Sequence, residues 1–254
     1  MSSSHSDAGE LGAALRAMRG RIDGLIVMAP DPAVRSGLEA GASSVPRVLV
    51  DPGIGTQGCD TLTIAHYEGA YQAVRHLLAL GHRRVAMITG PERNLDARQR
   101  LEGFRAALRN GGGDLSPDLE IRGDFTERSG HDAASPLLAI VPRATAVFSG
   151  NDAMAGGLMS ALAGAGVRVP ADLAVVGFDD IALARYLSPP LTTVHVDAFR
   201  LGERAMQMML NLLAQRGRTT ERVHEVIGTR LVVRGSCGAP PPAGHPGGAR
   251  PPVA

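Results

Sequence analysis

One stretch constrains the fold more than any other, because in it short apolar runs alternate with helix-like segments and each run ends on a polar residue. From Ala144 to Val196 the chain reads as a buried strand, a polar turn at Asn151-Asp152, a helix, a second buried strand, a polar turn at Asp179-Asp180 and a Pro-Pro-Leu-Thr-Thr crossover. Such alternation implies parallel strands joined by right-handed crossovers. In an open parallel sheet ligands bind at the carboxyl ends of the strands, so Asn151 and Asp179 should face one crevice.

The same alternation runs through most of the chain. Leu11, Leu15, Met18 and Ile22 mark a helix, Gly24 to Met28 a strand, a weaker helix ends near Gly41, and Pro46 to Val50 forms a strand closed by Asp51. Thr61 to Ala65 is the next strand, followed by a helix striped by Ala70, Ala73, Val74, Leu77 and Leu78 and stopped by Gly81. Val85 to Thr89 is a strand, and Ala97, Leu101, Phe104 and Leu108 stripe the helix after it. Ile121 to Phe125 reads as a short strand, Ser135 to Val141 as part of a helix, Leu201, Ala205, Met208 and Leu212 as a further helix, and Val223 to Val233 as a closing strand. The Pro, Gly and Ala tail at 237–254 lacks periodicity and is expected to be disordered. The fold class is α/β with two lobes.

Several function classes are disfavoured. The net charge is +1, and no basic face or arginine-rich helix stands out to hold a nucleic-acid backbone. Cys59 and Cys237 lie far apart without metal-ligand neighbours, which argues against a disulfide framework or a zinc site. The start, MSSSHSDAGE, has no apolar export signal, and no apolar run reaches the ~20 residues of a membrane span. A cytoplasmic chain without membrane contact is the expectation. Gly53 to Gly58 matches G-x-G-x-x-G, but a strand-like segment follows where a dinucleotide site needs a helix. His66, His82 and His195 read as partly buried histidines with local hydrogen bonds, since no base–nucleophile or ligand spacing surrounds them.

Asp179 and Asp180 could be paired acids for glycoside hydrolysis, but adjacent residues point apart, and binding by one while the other serves the turn is the better reading. Arg100 flanks the stripe of its helix, and spacing alone leaves it either a surface arginine or a guanidinium fork facing the crevice. No cofactor is expected, and no catalytic residue.

Five segments together resemble the LacI/GalR family of bacterial transcription regulators: HLLALGHRRVAMITGP (His76 to Pro91), RLEGFRAAL (Arg100 to Leu108), AVFSGNDAMAGGLMSAL (Ala146 to Leu162), VRVPADLAVVGFDDIALA (Val167 to Ala184) and SPPLTTVHVD (Ser188 to Asp197). The resemblance spans about Ile22 to Ser236. It implies the family's effector-binding core, a type I periplasmic-binding-protein-like fold with parallel sheets. It further implies a first lobe of residues 1–65 plus 194–215, incomplete at its N-terminus, and a second lobe of residues 66–193 plus 222–236.

Residue by residue, the resemblance places Arg100, Asn151 and Asp179 on the group that grips sugar hydroxyls, Phe125 where an aromatic stacks on ligand, and Asp51, Met28 and Val196 on the walls. The implied function is effector sensing: a sugar or related metabolite binds between the lobes and, in the intact protein, modulates operator binding by a homodimer. The family's helix-turn-helix headpiece is not recognisable before Gly24, so DNA contact is expected only through a segment this sequence lacks. A solute-binding protein of a transport system is the alternative.

Overall fold

The computed structural model describes residues 17–18, 20–28, 45–52, 58–214 and 221–238. Its strands are continuous apolar runs because helices cover both faces of the larger sheet, as parallel sheets require. Val85–Ile88 and Ala146–Ser149 are buried at every position, and Ala174–Asp179 is buried until its last residue.

In chain order the strands are β1 (Leu25–Met28), β2 (Arg47–Val50), β3 (Asp60–Ile64), β4 (Val85–Ile88), β5 (Glu120–Ile121), β6 (Ala146–Ser149), β7 (Ala174–Asp179), β8 (Thr192–His195), β9 (His224–Ile227) and β10 (Arg230–Val232). The α-helices are α1 (His66–Ala79), α2 (Leu95–Gly111), α3 (Glu127–Asp132), α4 (Ala134–Ala139), α5 (Asp152–Gly164) and α6 (Ala198–Ala214). The first sheet has the order β1-β2-β3-β9, and the second β10-β8-β7-β6-β4-β5. All pairings are parallel except that of β10 with β8.

Each face of the second sheet has its own core. Helices α3, α4 and α5 close one, around Met154, Leu158 and Leu162, and α1 and α2 close the other, around Leu77, Phe104 and Leu108. Phe104, Phe148 and Phe178 form a chain of ring contacts through that second core, stacked and then edge-on. Each such buried side chain contributes about 2 kcal/mol of apolar transfer. Helices α1 and α2 approach closely at Gly103, where a Cβ would lie 2.3 Å from the Tyr67 carbonyl oxygen. In the first sheet, β2, β3 and β9 pack on α6 through Val48, Val50, Leu62, Ile227, Leu201, Ala205 and Met208.

Among the described residues three segments pass between the sheets: β3 into α1, β8 into α6, and β9 into β10. Strand pairing departs from the expected lobe boundaries there. Residues 222–236 were expected in the second lobe as one strand, but the chain turns at Gly228-Thr229, so His224–Ile227 joins β3 in the first sheet and Arg230–Val232 joins β8 in the second. Val194 and His195, expected in the first lobe, complete β8 of the second sheet, and the crossover begins at Val196. The strand expected over Ile121 to Phe125 ends at Ile121, because Asp124 Oδ1 accepts from the Thr126 backbone and hydroxyl and Thr126 then caps α3. Most of the expected first helix, the helix ending near Gly41, the glycine loop at 53–57 and the tail beyond Gly238 lie outside the described residues.

Candidate functional site

The carboxyl ends of β2, β6 and β7 and the first turns of α1 and α2 bring one set of polar side chains together. Asn94 caps α2 by accepting from the Ala97 backbone N–H, which fixes the first turn that carries Asp96 and, one turn on, Arg100. The i, i+4 spacing puts these two on one helix face. Arg100 is buried at 6% exposure. Its Nη1 donates to the Gly150 carbonyl, its Nη2 lies 3.2 Å from Asp179 Oδ1, and its Nε donates to His66 Nδ1 at 3.3 Å. The guanidinium carbon also sits 3.9 Å from the Phe178 ring centroid and 5.5 Å from that of Phe125, a cation–π arrangement that suits arginine rather than lysine. Arg100 is therefore a cleft residue and not a surface one.

Because a guanidinium N–H can only donate, His66 Nδ1 accepts and the ring proton is assigned to Nε2. That Nε2 lies 3.6 Å from Asp51 Oδ1 and 3.5 Å from Asp96 Oδ1. Asp51 Oδ1 also accepts from the Ile64 backbone N–H at 2.8 Å. Among the described residues, Asp51 Oδ2 and His66 Nε2 are the buried side-chain polar atoms without a hydrogen-bond partner. Asp51, His66 and Asp96 have the mutual spacing of a cation site, but a protonated Nε2 offers no lone pair to a metal.

The two adjacent acids separate in role. Asp179, a third exposed, faces Arg100, whereas Asp180 is buried between Arg234 Nη2 at 2.5 Å and His195 Nδ1 at 2.9 Å. A pair so divided does not form an acid–base couple across one bond. Burial raises the pKa of Asp179, and Arg100 opposes the rise. Asp96 is pushed up to about 6, chiefly by burial, with Asp51 and Asp179 adding to the rise and His66 and Arg100 opposing it. Asp152, buried beneath the cleft, is pushed up to about 7 by burial although it accepts from the Thr193 hydroxyl and the Ile181 backbone N–H.

Asn151 caps α5, its Oδ1 accepting from the Met154 N–H and its Nδ2 donating to the Phe125 carbonyl. Phe125 is thereby tied to the end of β6. Among the described residues the non-glycine positions with positive φ are Asp51, Phe125, Asp179 and Asp180, at 47°, 72°, 108° and 57°. All four lie at this edge, and such conformations cost about 1–3 kcal/mol each and persist where surrounding structure enforces them.

Of the residues singled out in the sequence, Arg100, Asp179, Phe125, Asn151 and Asp51 thus converge. Val196 joins them through its backbone, which donates to the Asp179 carbonyl at 3.3 Å, while its side chain packs into the cores of both lobes. Met28 is not tied to the cluster: it is 57% exposed at the end of β1, paired in register with Val50. Sequence reasoning missed His66, Asp96 and Phe178. Asp96 carried a usable signal, one helical turn before Arg100, and His66 stood at a strand end like Asp51.

Two parallel-sheet lobes linked by crossovers, with charged side chains converging at strand ends, define the class of bilobal small-molecule-binding folds. A family described as the periplasmic binding protein-like domain matches residues 74–237, and the chain belongs to that family. It is homologous to the ribose operon repressor of Escherichia coli strain K12, 39% identical over 199 residues that make up 78% of this chain and 60% of the repressor. The chain therefore spans less than two thirds of that relative. Its structure is similar to that of a transcriptional regulator CelR–cellobiose complex, with a TM-score of 0.81, 32% identity, and coverage of 92% of this chain and 71% of the other. It is equally similar to a LacI family transcriptional regulator from Enterococcus faecium with bound ribose, with a TM-score of 0.81, 26% identity, and coverage of 92% and 85%. No helix among the described residues is long and apolar enough to cross a membrane.

Proposed function

We propose that this chain is the effector-sensing core of a LacI-type transcriptional regulator and that it binds a small sugar between its lobes. The observation that carries the reading is the buried Arg100, held on Gly150, His66 and Asp179 and stacked on Phe178, at the edge where both sheets end. In this reading Arg100 and Asp179 bind adjacent hydroxyls, Asn151 orients Phe125 against the sugar face, and Asp51 and Val196 form the walls. Met28 lines the outer rim of the first lobe. The work of the cleft is binding: Asp180 is occupied by Arg234 and His195, so the adjacent acids Asp179 and Asp180 do not form an acid–base pair.

Sensing rather than transport is supported by the repressor relative and by the two regulators whose structures hold cellobiose and ribose. A ligand that favours one arrangement of the lobes over another would pass its message through the three crossovers, and a homodimer would carry it to operator DNA through a segment outside the resemblance. The test is differential scanning fluorimetry with D-ribose and cellobiose on the wild type, Arg100→Ala and Asp179→Ala. A rise in Tm with at least one sugar in the wild type, lost in both variants, is expected. Equal stabilisation of all three proteins would refute the site.

A further inference from the structure

Among the described residues, the cleft collects more acid than base. Asp51 from the end of β2, Asp96 from the first turn of α2 and Asp179 from the end of β7 converge around one arginine, Arg100, and one histidine, His66. Asp152, a further acid beneath Asp179, lies close enough to feel its charge.

Three of the five N–H donors of Arg100 are engaged within the chain. Its Nε is taken by His66, Nη1 by the Gly150 carbonyl and Nη2 by Asp179, and one face rests on Phe178. Arginine holds phosphate or carboxylate best when no other anion shares it, and here Asp179 already faces Nη2, so an arriving anion would compete with that carboxylate. Two of the helix ends at this edge are answered by side chains of the chain itself. Asn94 caps α2 and Asn151 caps α5, with Asp96 and Asp152 as acids in their first turns. By contrast, among the described residues Asp51 Oδ2 is a buried acceptor with no donor. An arriving anion would therefore meet like charge in a weakly screened site, whereas hydroxyl groups would supply the donors that these carboxylates lack.

We infer that the cleft selects uncharged, hydroxyl-rich ligands over phosphorylated or carboxylated sugars, and that Asp96 sets this selection. The inference deepens the effector reading above and rests on it. Asp96 acts through its charge, and the charged and titratable groups that face it are His66, Asp51, Arg100 and Asp179.

Titration calorimetry at pH 8, where Asp96 is ionised, tests it with D-ribose, D-ribose 5-phosphate and the uncharged size control 5-O-methyl-D-ribose. In the wild type the phosphate should bind about 100-fold more weakly than D-ribose, the penalty of like charges a few ångströms apart at an effective dielectric of about 20. The methyl ether should lose far less. Asp96→Asn should narrow the gap by about tenfold, and Asp96→Glu, which keeps the charge, should retain it. Circular dichroism melting of each variant separates misfolding from changed selection. Phosphate binding as tight as that of D-ribose, or a gap unchanged in a folded Asp96→Asn, overturns the inference alone. Binding of none of the three compounds overturns the ribose-type effector reading and the inference with it.

Discussion

Replacing Asp96 by Asn should stabilise the folded chain at neutral pH. Burial raises this carboxyl from 3.8 to about 6, so the folded state holds its proton more tightly than the unfolded chain does. Between about pH 4 and 6 the folded state binds more protons, and stability falls as pH rises through that window and stays reduced above it. A shift of roughly two units corresponds to at most about 3 kcal/mol. Asparagine keeps the shape and removes the charge. The variant should therefore exceed the wild type by up to about 3 kcal/mol at pH 8, by about half that at pH 5, and by under about 1 kcal/mol at pH 4. Urea unfolding of both proteins at the three pH values measures the difference. An asparagine variant no more stable than the wild type at pH 8, or an advantage that does not shrink toward pH 4, would refute the assignment of a buried charge to Asp96 whose desolvation outweighs its neighbours His66 and Arg100.

Arg100→Ala should lose sugar-induced stabilisation and also lower intrinsic stability by about 2 kcal/mol or more, because the Gly150 carbonyl and Asp179 lose a charged donor; chemical unfolding with and without D-ribose reads both. The two adjacent acids should separate cleanly. Asp180→Ala, which strands Arg234 and His195, should cost about 3–5 kcal/mol and leave ligand binding in the folded protein, while Asp179→Ala, which strands Arg100, should also destabilise but should in addition remove ligand binding; thermal melts with and without D-ribose distinguish them. Gly103→Ala should destabilise by about 1–3 kcal/mol because its Cβ would meet the Tyr67 carbonyl oxygen, and urea unfolding should show it.

Much of the fold was legible because its strands are short apolar runs at strand-and-helix spacing. Ala146–Ser149 and Ala174–Asp179 stand where their hydrophobic pattern puts them, and the helix stripes at Ala97, Phe104 and Leu108 are buried. The divided course of 222–236 was not legible, because both strands are short and mostly exposed or half-buried, and only a two-residue turn separates their partners in different sheets. Phe125 was visible through its motif, but its positive φ and its tie to Asn151 arise from the Asp124–Thr126 turn, which the strand-like pattern of 121–125 hid. Arg100 could not be assigned from spacing, since a buried arginine and a solvated one occupy the same helical position until the partners are known. His66 and Asp96 escaped for a related reason: each looks like an ordinary polar residue at a helix start, and their meeting with Asp51 depends on bringing the end of β2 beside the first turns of α1 and α2.

The position of a bound sugar decides whether this cleft is the effector site, and a crystal structure of the chain grown with D-ribose measures it directly. The prediction is a ribose ring against Phe125, with hydroxyls on Arg100 and Asp179 and the cluster of Asp51, His66 and Asp96 behind it. Electron density for ribose elsewhere on the surface, with Arg100 and Asp179 contacting only each other, would contradict it.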